Sequence, residues 1–329
     1  MPSYLSVINR HLDRLIPVTT PLAVALGLFL PDVFINLRPF VIWLFGIITF
    51  SGALKLTARE LTIAVRSPVS IVIFFVISHV IMPLAALFSS SLVFDNPDVI
   101  AGFVLLFAGP TAVSGFIWVA IFKGDKALSL SFILLDTMLA PFVVPFTISV
   151  LMGAKVSMDM SGIALSLLFM VVVPTIAGVA LNEAGRRRKH PPDLQPELPQ
   201  GTEPAFKISA ALDPAAKICL MLVIAANSSA VAPNIKFNDP LVWKIALLCI
   251  TLTASGFLLA KFSGFAGKLN EQKGISLILA SGLRNNSAVM TIAVAFFPES
   301  AVLPAILSII FQQTIAAIMG KLLIQKKEI

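Results

Sequence analysis

Three ionisable side chains lie inside long apolar stretches of the sequence, and they have the clearest capacity for chemistry. They are His79, Asp136 and Arg284. At about 1.5 Å per residue, each lies near the middle of a hydrocarbon core of about 30 Å if its stretch spans a bilayer. An isolated charge at that depth costs about 2.5 to 3.5 kcal/mol on insertion scales. We therefore expect Asp136 and Arg284 to form a pair or near-pair, either as a structural salt bridge or within a transport pathway.

Arg284 and His79 each have two alternative roles. Arg284 is either a fixed cation that balances Asp136 or a planar fork that binds a substrate carboxylate or sulfonate. We favour the balancing role with partial substrate contact. His79 lies four residues before Pro83, so its ring either hydrogen-bonds a carbonyl that the proline frees or acts in a proton relay.

Two apolar stretches are interrupted by glycine, proline and polar residues, namely at Gly109-Pro-Thr-Ala-Val-Ser-Gly115 and at Ser281-Gly-Leu-Arg-Asn-Asn-Ser287. Paired interruptions at corresponding positions of two halves are typical of the broken helices that form transporter binding sites near the midplane. Unwound backbone there exposes carbonyls that can hold a cation and N–H groups that can hold an anion. The candidate residues of the substrate or ion pathway are Ser78, His79, Thr111, Ser114, Gly115, Asp136, Thr137, Ser281, Arg284, Asn285 and Asn286.

The elements that must position these residues are transmembrane helices. The chain of 329 residues is 57% hydrophobic and only 12% charged, which leaves too few polar side chains to cover a soluble protein. Ten stretches have the length of a membrane helix. They are residues 15–31, 38–54, 68–91, 99–122, 127–152, 160–182, 212–232, 240–260, 274–297 and 302–323. We expect an all-α polytopic membrane protein of ten transmembrane helices in two inverted five-helix repeats, with broken helices 4 and 9 that cross.

One long connection divides these stretches. Residues 183–209 are rich in proline, glutamate and basic residues and predict a flexible cytoplasmic loop between residues 1–182, with spans 1 to 6, and residues 210–329, with spans 7 to 10. Most of the 24 lysines and arginines fall on the side of the N-terminus, and the other side collects only Arg38, Lys155, Lys236 and Lys244. The positive-inside rule therefore predicts an integral protein of the plasma (inner) membrane with both termini in the cytoplasm.

Several functional classes are excluded by the sequence. The basic residues lie between apolar stretches rather than in a cluster on a folded surface, so the net charge of +7 does not indicate nucleic-acid binding. The sequence lacks HExxH, GxSxG and P-loop motifs and is not expected to be an enzyme. Cys219 and Cys249 lie in apolar stretches and are expected to be packing residues. We expect no cofactor beyond a coupling sodium ion or proton. The expected partners are the lipid bilayer and a small organic anion, and the sequence leaves the oligomeric state open.

The sequence resembles the bile acid:sodium symporter family over nearly its whole length. The resemblance rests on His79-Val-Ile-Met-Pro83, Gly109-Pro-Thr-Ala-Val-Ser-Gly115, Gly124-Asp125 followed by Asp136-Thr-Met-Leu-Ala-Pro141, and Gly282-Leu-Arg-Asn-Asn-Ser-Ala-Val289. It implies a core domain of spans 3–5 and 8–10 and a panel domain of spans 1–2 and 6–7. It also implies two sodium ions at the crossing of spans 4 and 9, with an anionic organic substrate beside them. If sodium binds here, the expected ligands are Ser114, Thr137, Ser281 and Asn285.

The sequence departs from the family pattern where sodium would bind. Ser114-Gly115 stands where the family typically has Ser-Asn, and Ser281-Gly-Leu-Arg-Asn-Asn286 stands where it typically has Glu-x-Gly-x-Gln-Asn. An acid is thus absent and a guanidinium, which repels sodium, is present. These departures predict weak or absent sodium coupling.

The sequence therefore predicts a secondary active transporter of a small organic anion that works by alternating access, coupled to protons or uncoupled. A non-transporting membrane receptor or sensor is one alternative. An arsenite-type exporter of the same superfamily is another, but it would need a soft thiolate in a broken helix, and both cysteines lie elsewhere.

Overall fold

The computed structural model describes residues 4–57, 62–63, 66–153, 159–189, 204–235 and 238–324. Within these ranges the regular structure is helical and contains no β-strand, which confirms the all-α prediction. The α-helices are α1 (Tyr4–Phe29), α2 (Pro31–Phe34), α3 (Val41–Ala53), α4 (Pro68–Val76), α5 (Met82–Val93), α6 (Pro97–Ala108), α7 (Gly115–Ile121), α8 (Lys126–Met152), α9 (Met160–Leu167), α10 (Val173–Lys189), α11 (Pro204–Val231), α12 (Pro240–Ala266), α13 (Glu271–Gly282), α14 (Asn286–Phe296) and α15 (Leu303–Leu323).

The polar residues between apolar stretches begin several of these helices. The Asn96 side chain caps α6 by accepting a hydrogen bond from the N–H of Asp98, and Asp125 caps α8 by accepting from the N–H of Leu128. Asn270 caps α13 in the same way. Such caps satisfy N–H groups that lack a partner in the first turn, so they fix where each apolar stretch becomes helical.

Seven helical segments among the described residues are long and apolar enough to cross a membrane. They are Pro31–Ala53, Pro68–Val93, Lys126–Met152, Met160–Gly185, Ala211–Val231, Pro240–Ala266 and Glu299–Leu323. Three shorter apolar helices are Val18–Phe29, Pro97–Ala108 and Asn286–Phe296. The last two belong to the stretches with predicted interruptions, and a half-helix of 12 residues reaches only about 18 Å. The described chain is therefore a polytopic helical membrane protein.

The outer surface of these helices is apolar. Large side chains such as Trp43, Phe88 and Phe142 are exposed, and Phe265 is 87% exposed. An apolar surface of this extent is not found on water-soluble monomers, so lipid is its solvent.

Two π-helical turns interrupt the helices just before prolines. One covers Ile77–Ile81 between α4 and α5 and precedes Pro83, and the other covers Leu168–Val172 between α9 and α10 and precedes Pro174. A local π adjustment accommodates the hydrogen bond that a proline removes. The first of these turns carries Ser78 and His79 and so directs both toward the interior.

Contacts between helices connect distant parts of the chain. Helix α11 packs against α1 and α3, and α10 packs against α3. Helix α12 packs against α13 and α15, α5 packs against α6, and α8 contacts both α6 and α13. Helices α6 and α13, which precede the two predicted interruptions, are therefore both held by α8.

The connection predicted over residues 183–209 is partly helical. Helix α10 continues to Lys189 and α11 begins at Pro204, so helical structure extends into both ends of the predicted loop. Residues 190–203 of that loop lie outside the described residues.

Candidate functional site

Both predicted interruptions are true breaks, and they meet. The first break, residues 109–114, separates α6 from α7, and the second break, residues 283–285, separates α13 from α14. The N–H of Ala112 donates to the carbonyl of Leu283 at 3.1 Å, and the N–H of Asn285 donates to the carbonyl of Pro110 at 2.8 Å. Buried backbone groups that the breaks free from their helices are therefore satisfied by each other. We call this meeting point the crossing.

Thr111 is the centre of the crossing and forms an antiparallel backbone bridge with Arg284. The buried Thr111 hydroxyl donates to the carbonyl oxygens of Ala280, at 2.7 Å, and Leu283, at 3.1 Å. The Thr111 backbone N–H donates to Oδ2 of Asp136 at 2.7 Å. One residue thus joins the first break, the second break and helix α8.

Asp136 is fully buried, and its carboxylate is in direct contact with the ring of His79. Its Oδ1 lies 2.8 Å from Nε2 of His79, while Oδ2 accepts from Thr111. Asp136 and Arg284 do not form the direct pair that was one of the two expectations, because the ion-pair contact of the Asp136 carboxylate is with His79. The two residues nevertheless lie close together, because Thr111 donates to the Asp136 carboxylate and forms the backbone bridge with Arg284, so they form a near-pair. The π-helical turn at Ile77–Ile81 brings the histidine, rather than the arginine, to the carboxylate.

The His79 ring does not hydrogen-bond a carbonyl freed by Pro83, which was one of its two expected roles. Its Nε2 contacts the carboxylate instead, and its buried Nδ1 has no hydrogen-bond partner among the described residues. The ring stacks on Phe75, with centroids 5.3 Å apart. A protonatable group therefore lies in direct contact with the carboxylate that holds the first break.

Arg284 is only 2% exposed, and its guanidinium points at backbone carbonyls. Nη1 donates to Gly109 O at 3.4 Å, and Nη2 donates to Ser78 O at 3.3 Å and Ser281 O at 3.5 Å. Nε has no partner among the described residues. The three acceptors come from three segments, so the guanidinium joins the π-helical turn to the ends of α6 and α13.

Two hydroxyl groups beside Arg284 lack hydrogen-bond partners. Ser78 Oγ and Ser281 Oγ are buried and unpaired among the described residues, although both residues use their carbonyls to accept from Arg284. Unpaired buried polar atoms are uncommon and call for a physical reason. Here both unpaired hydroxyls belong to serines whose carbonyls contact the Arg284 guanidinium.

Two glutamines support the crossing, and the sequence-based site omitted both. Gln312 Oε1 accepts from the N–H of Arg284 at 3.1 Å, and its Nε2 donates to the Arg284 carbonyl at 2.9 Å. Gln313 Oε1 accepts from Nε1 of Trp118 at 2.9 Å, and its Nε2 lies 3.5 Å from Ser114 Oγ. Adjacent glutamines in an apolar span are the signal that would have identified them, since polar side chains at membrane depth are costly and functional.

The remaining predicted residues surround the crossing. Gly115 begins α7, and Thr137 follows Asp136 in buried α8. The Asn285 side chain caps α14 by accepting from the N–H of Ala288 at 3.2 Å, and Nδ2 of Asn286 donates to Ser308 Oγ at 2.8 Å.

The side-chain oxygens of Asn285 and Ser114 are thus already engaged, the first by the cap and the second by Gln313. They are two of the four ligands expected for sodium. The two cysteines are free and buried in α11 and α12, as expected of packing residues, and both lie outside the breaks.

Comparison with known proteins gives the family. Residues 41–236 match the Sodium Bile acid symporter family. "Uncharacterized protein YbaS" of Bacillus subtilis (strain 168) is 37% identical over 308 residues, which cover 93% of this chain and 96% of that protein. "Uncharacterized sodium-dependent transporter YocS" of the same organism is 24% identical over 86% of this chain and 83% of its own length.

A plant relative extends the comparison. "Probable sodium/metabolite cotransporter BASS1, chloroplastic" of Arabidopsis thaliana is 27% identical over 181 residues, which cover 55% of this chain and 45% of that protein. The family is one of transporters and not of enzymes, in line with the lack of enzyme motifs. With its family match over more than half of its residues and a relative that aligns along nearly all of it, the chain belongs to the sodium bile acid symporter family.

Proposed function

We propose that this transporter carries a small organic anion by alternating access. The observation that carries the proposal is the crossing, where two broken helices are bonded backbone to backbone around a buried carboxylate and a buried guanidinium. Broken helices that meet at membrane depth are the site architecture of secondary transporters.

The proposed architecture has ten spans in two inverted repeats. Seven continuous apolar segments, together with the shorter apolar helices in α1, α6 and α14, support that number. The helix group of α4 to α8 and α12 to α15 forms the core domain, and α1, α3, α10 and α11 belong to the panel domain, in line with their contacts. Both termini are cytoplasmic in this proposal, because the basic residues favour that side.

The anionic nature of the substrate is supported by the partly exposed face of the crossing. Val113 is 48% exposed, and Ser114 and Asn285 are partly exposed beside it. Helix α14 begins at the same place, so the positive end of its dipole lies there. The family description names bile acids, which are organic carboxylates. Polar groups and a helix N-terminus at one accessible face suit a carboxylate or sulfonate.

The coupling ion is proposed to differ from that of the relatives whose names include sodium. Arg284 provides a permanent cation at the crossing, and a sodium ion nearby would be repelled by it. We propose that a sodium gradient drives transport weakly or not at all. Transport is then either uncoupled or coupled to protons, for which the His79–Asp136 contact provides a protonatable group.

Tracer flux into proteoliposomes tests this function. The purified protein is reconstituted, and uptake of labelled carboxylates and sulfonates is measured under an imposed sodium gradient, an imposed proton gradient or neither. We expect protein-dependent flux of at least one anion with little response to sodium. Asp136→Ala, which removes the carboxylate that holds Thr111, is the inactive control.

Three results would contradict the proposal. Strong sodium-driven accumulation without a response to pH would overturn the coupling assignment. Saturable anion binding without flux would indicate the receptor alternative. Arsenite flux would indicate the exporter alternative, which the position of Cys219 and Cys249 outside the breaks disfavours because no thiolate lies at the crossing.

A further inference from the structure

The guanidinium of Arg284 occupies a cage of backbone carbonyl oxygens. Ser78 O, Gly109 O and Ser281 O surround its terminal nitrogens at 3.3 to 3.5 Å. Rings of backbone carbonyls are the ligands that replace the hydration shell of alkali cations in membrane proteins. The cage therefore has the composition of a monovalent-cation site.

Two residues of the cage carry a further oxygen atom that the guanidinium does not use. The hydroxyl oxygens of Ser78 and Ser281 are buried without partners, and both belong to residues whose carbonyls form the cage. The carboxylate of Asp136 accepts from the N–H of Thr111, the residue that bridges to Arg284, and so supplies negative charge close to the cage. Hard oxygen ligands with a carboxylate nearby suit an alkali cation better than a planar fork.

The fit of the guanidinium to the cage is loose. Its three contacts are longer than the usual 2.7 to 3.2 Å of N–H···O hydrogen bonds. Nε, one of the five donor positions of the guanidinium, has no partner among the described residues. A cage shaped around this side chain would pair that donor.

We infer that Arg284 is a tethered cation, which fills a site that would otherwise bind a free monovalent metal ion such as sodium. The tether keeps the cation at the crossing in every step, so the site cannot release it and cannot use a gradient of sodium or another monovalent metal ion. This inference deepens the weak sodium coupling proposed above, but its test needs neither a substrate nor transport.

The test is to remove the tether and supply free cations. Arg284→Ala is purified in detergent, and its thermal unfolding is followed in sodium chloride and potassium chloride, each compared with choline chloride at equal ionic strength. We expect the unfolding midpoint of the variant to rise with sodium or potassium concentration relative to choline, because a ligand that binds only the folded state stabilises it by mass action. The wild-type protein is expected to unfold at the same temperature in all three salts.

The double variant Arg284→Ala with Asp136→Asn is the matched control. It lacks the carboxylate and is expected to lose the response to sodium and potassium, because carbonyl oxygens alone bring no net charge to the cage. If Arg284→Ala does not fold, the same titration of Arg284→Gln, which keeps most of the side-chain volume, decides the question.

Two results would overturn the inference. One is a folded Arg284 variant that responds to sodium and potassium no more than to choline. The other is a sodium-specific stabilisation of the wild-type protein, which would mean that a free ion binds beside the guanidinium. Neither result depends on which anion the protein carries, so failure here is distinguishable from failure of the proposed transport function.

Discussion

The two breaks lie at the same crossing, yet they contribute different chemistry to it. The first break, residues 109–114, contains no ionisable side chain and contributes backbone groups, with the Gly109 carbonyl directed at Arg284 and the Thr111 N–H directed at Asp136. The second break, residues 283–285, is half as long and contributes the cation. Its own backbone at Arg284 is satisfied by Gln312. The first break therefore contributes backbone hydrogen-bonding groups, whereas the second break carries the charge, and its backbone is hydrogen-bonded by the Gln312 side chain.

The largest effect is expected at the charged break. In choline buffer, Arg284→Ala leaves Asp136 without its nearby cation and should lower the free energy of unfolding by about 3 to 5 kcal/mol, as for an orphaned buried charge. Adding Asp136→Asn should recover much of that loss, because the two residues lie close together. Denaturant unfolding in detergent measures both. If the loss in free energy of unfolding of the double variant equals the sum of the losses of Arg284→Ala and Asp136→Asn, the two residues are not coupled and the near-pair is contradicted.

The support of the second break is tested at Gln312. Gln312→Leu removes both hydrogen bonds to the Arg284 backbone and should cost about 1 to 3 kcal/mol, because the buried Arg284 N–H loses its partner while the Arg284 carbonyl still accepts from the N–H of Asn286. Gln313→Leu is the matched control and should cost less, since Gln313 is only partly buried and bonds the side chains of Trp118 and Ser114 rather than the backbone of the second break. Equal losses would show that the second break needs no such support.

The first break is tested by a pair of glycines. A Cβ at Gly109 would clash with Cγ2 of buried Val289, so Gly109→Ala should destabilise by about 1 to 3 kcal/mol through overpacking. At Gly115, the nearest side-chain atom is Cδ1 of Leu283, 3.6 Å from the added Cβ, and Gly115→Ala should be neutral or slightly stabilising. Thermal unfolding of the two variants side by side checks the contrast. A tolerated Gly109→Ala would mean that the breaks are less closely packed than described.

The smallest effect concerns the hydroxyl that links the breaks. Thr111→Val removes its hydrogen bonds to Ala280 O and Leu283 O but keeps the backbone bond to Asp136, and should cost about 1 to 2 kcal/mol. Thr251→Val is the control, because the exposed Thr251 hydroxyl bonds only the carbonyl of Leu247 in its own helix. It should change the free energy of unfolding by less than about 0.5 kcal/mol. Similar losses for both would remove the special role of Thr111.

The sequence predicted the breaks because glycine, proline and polar residues interrupt otherwise apolar stretches. It also predicted that His79, Asp136 and Arg284 share one region, since their depth follows from counting residues along a helix. It could not predict that Asp136 contacts His79 directly, because depth does not determine which way a side chain points around the helix axis. The π-helical turn at Ile77–Ile81 changes that direction for His79, and Pro83 indicated a disturbed turn there without specifying its geometry.

Gln312 shows a second reason for a missed contact. Its span is continuous and apolar, so the interruptions that identified the two breaks do not identify Gln312. Its role depends on tertiary packing that brings the middle of α15 to the second break, where its amide substitutes for a missing backbone partner. In the sequence, only the presence of a polar glutamine in an apolar span indicated that this residue has a functional role.

The backbone bridge between Thr111 and Arg284 has a mechanical consequence. Sliding one break along the other would rupture the hydrogen bonds from Ala112 to Leu283 and from Asn285 to Pro110 at a depth where water cannot replace them. Helices α6, α7, α13 and α14 are therefore mechanically coupled at the crossing, and we expect a displacement of any one of them to be transmitted to the other three.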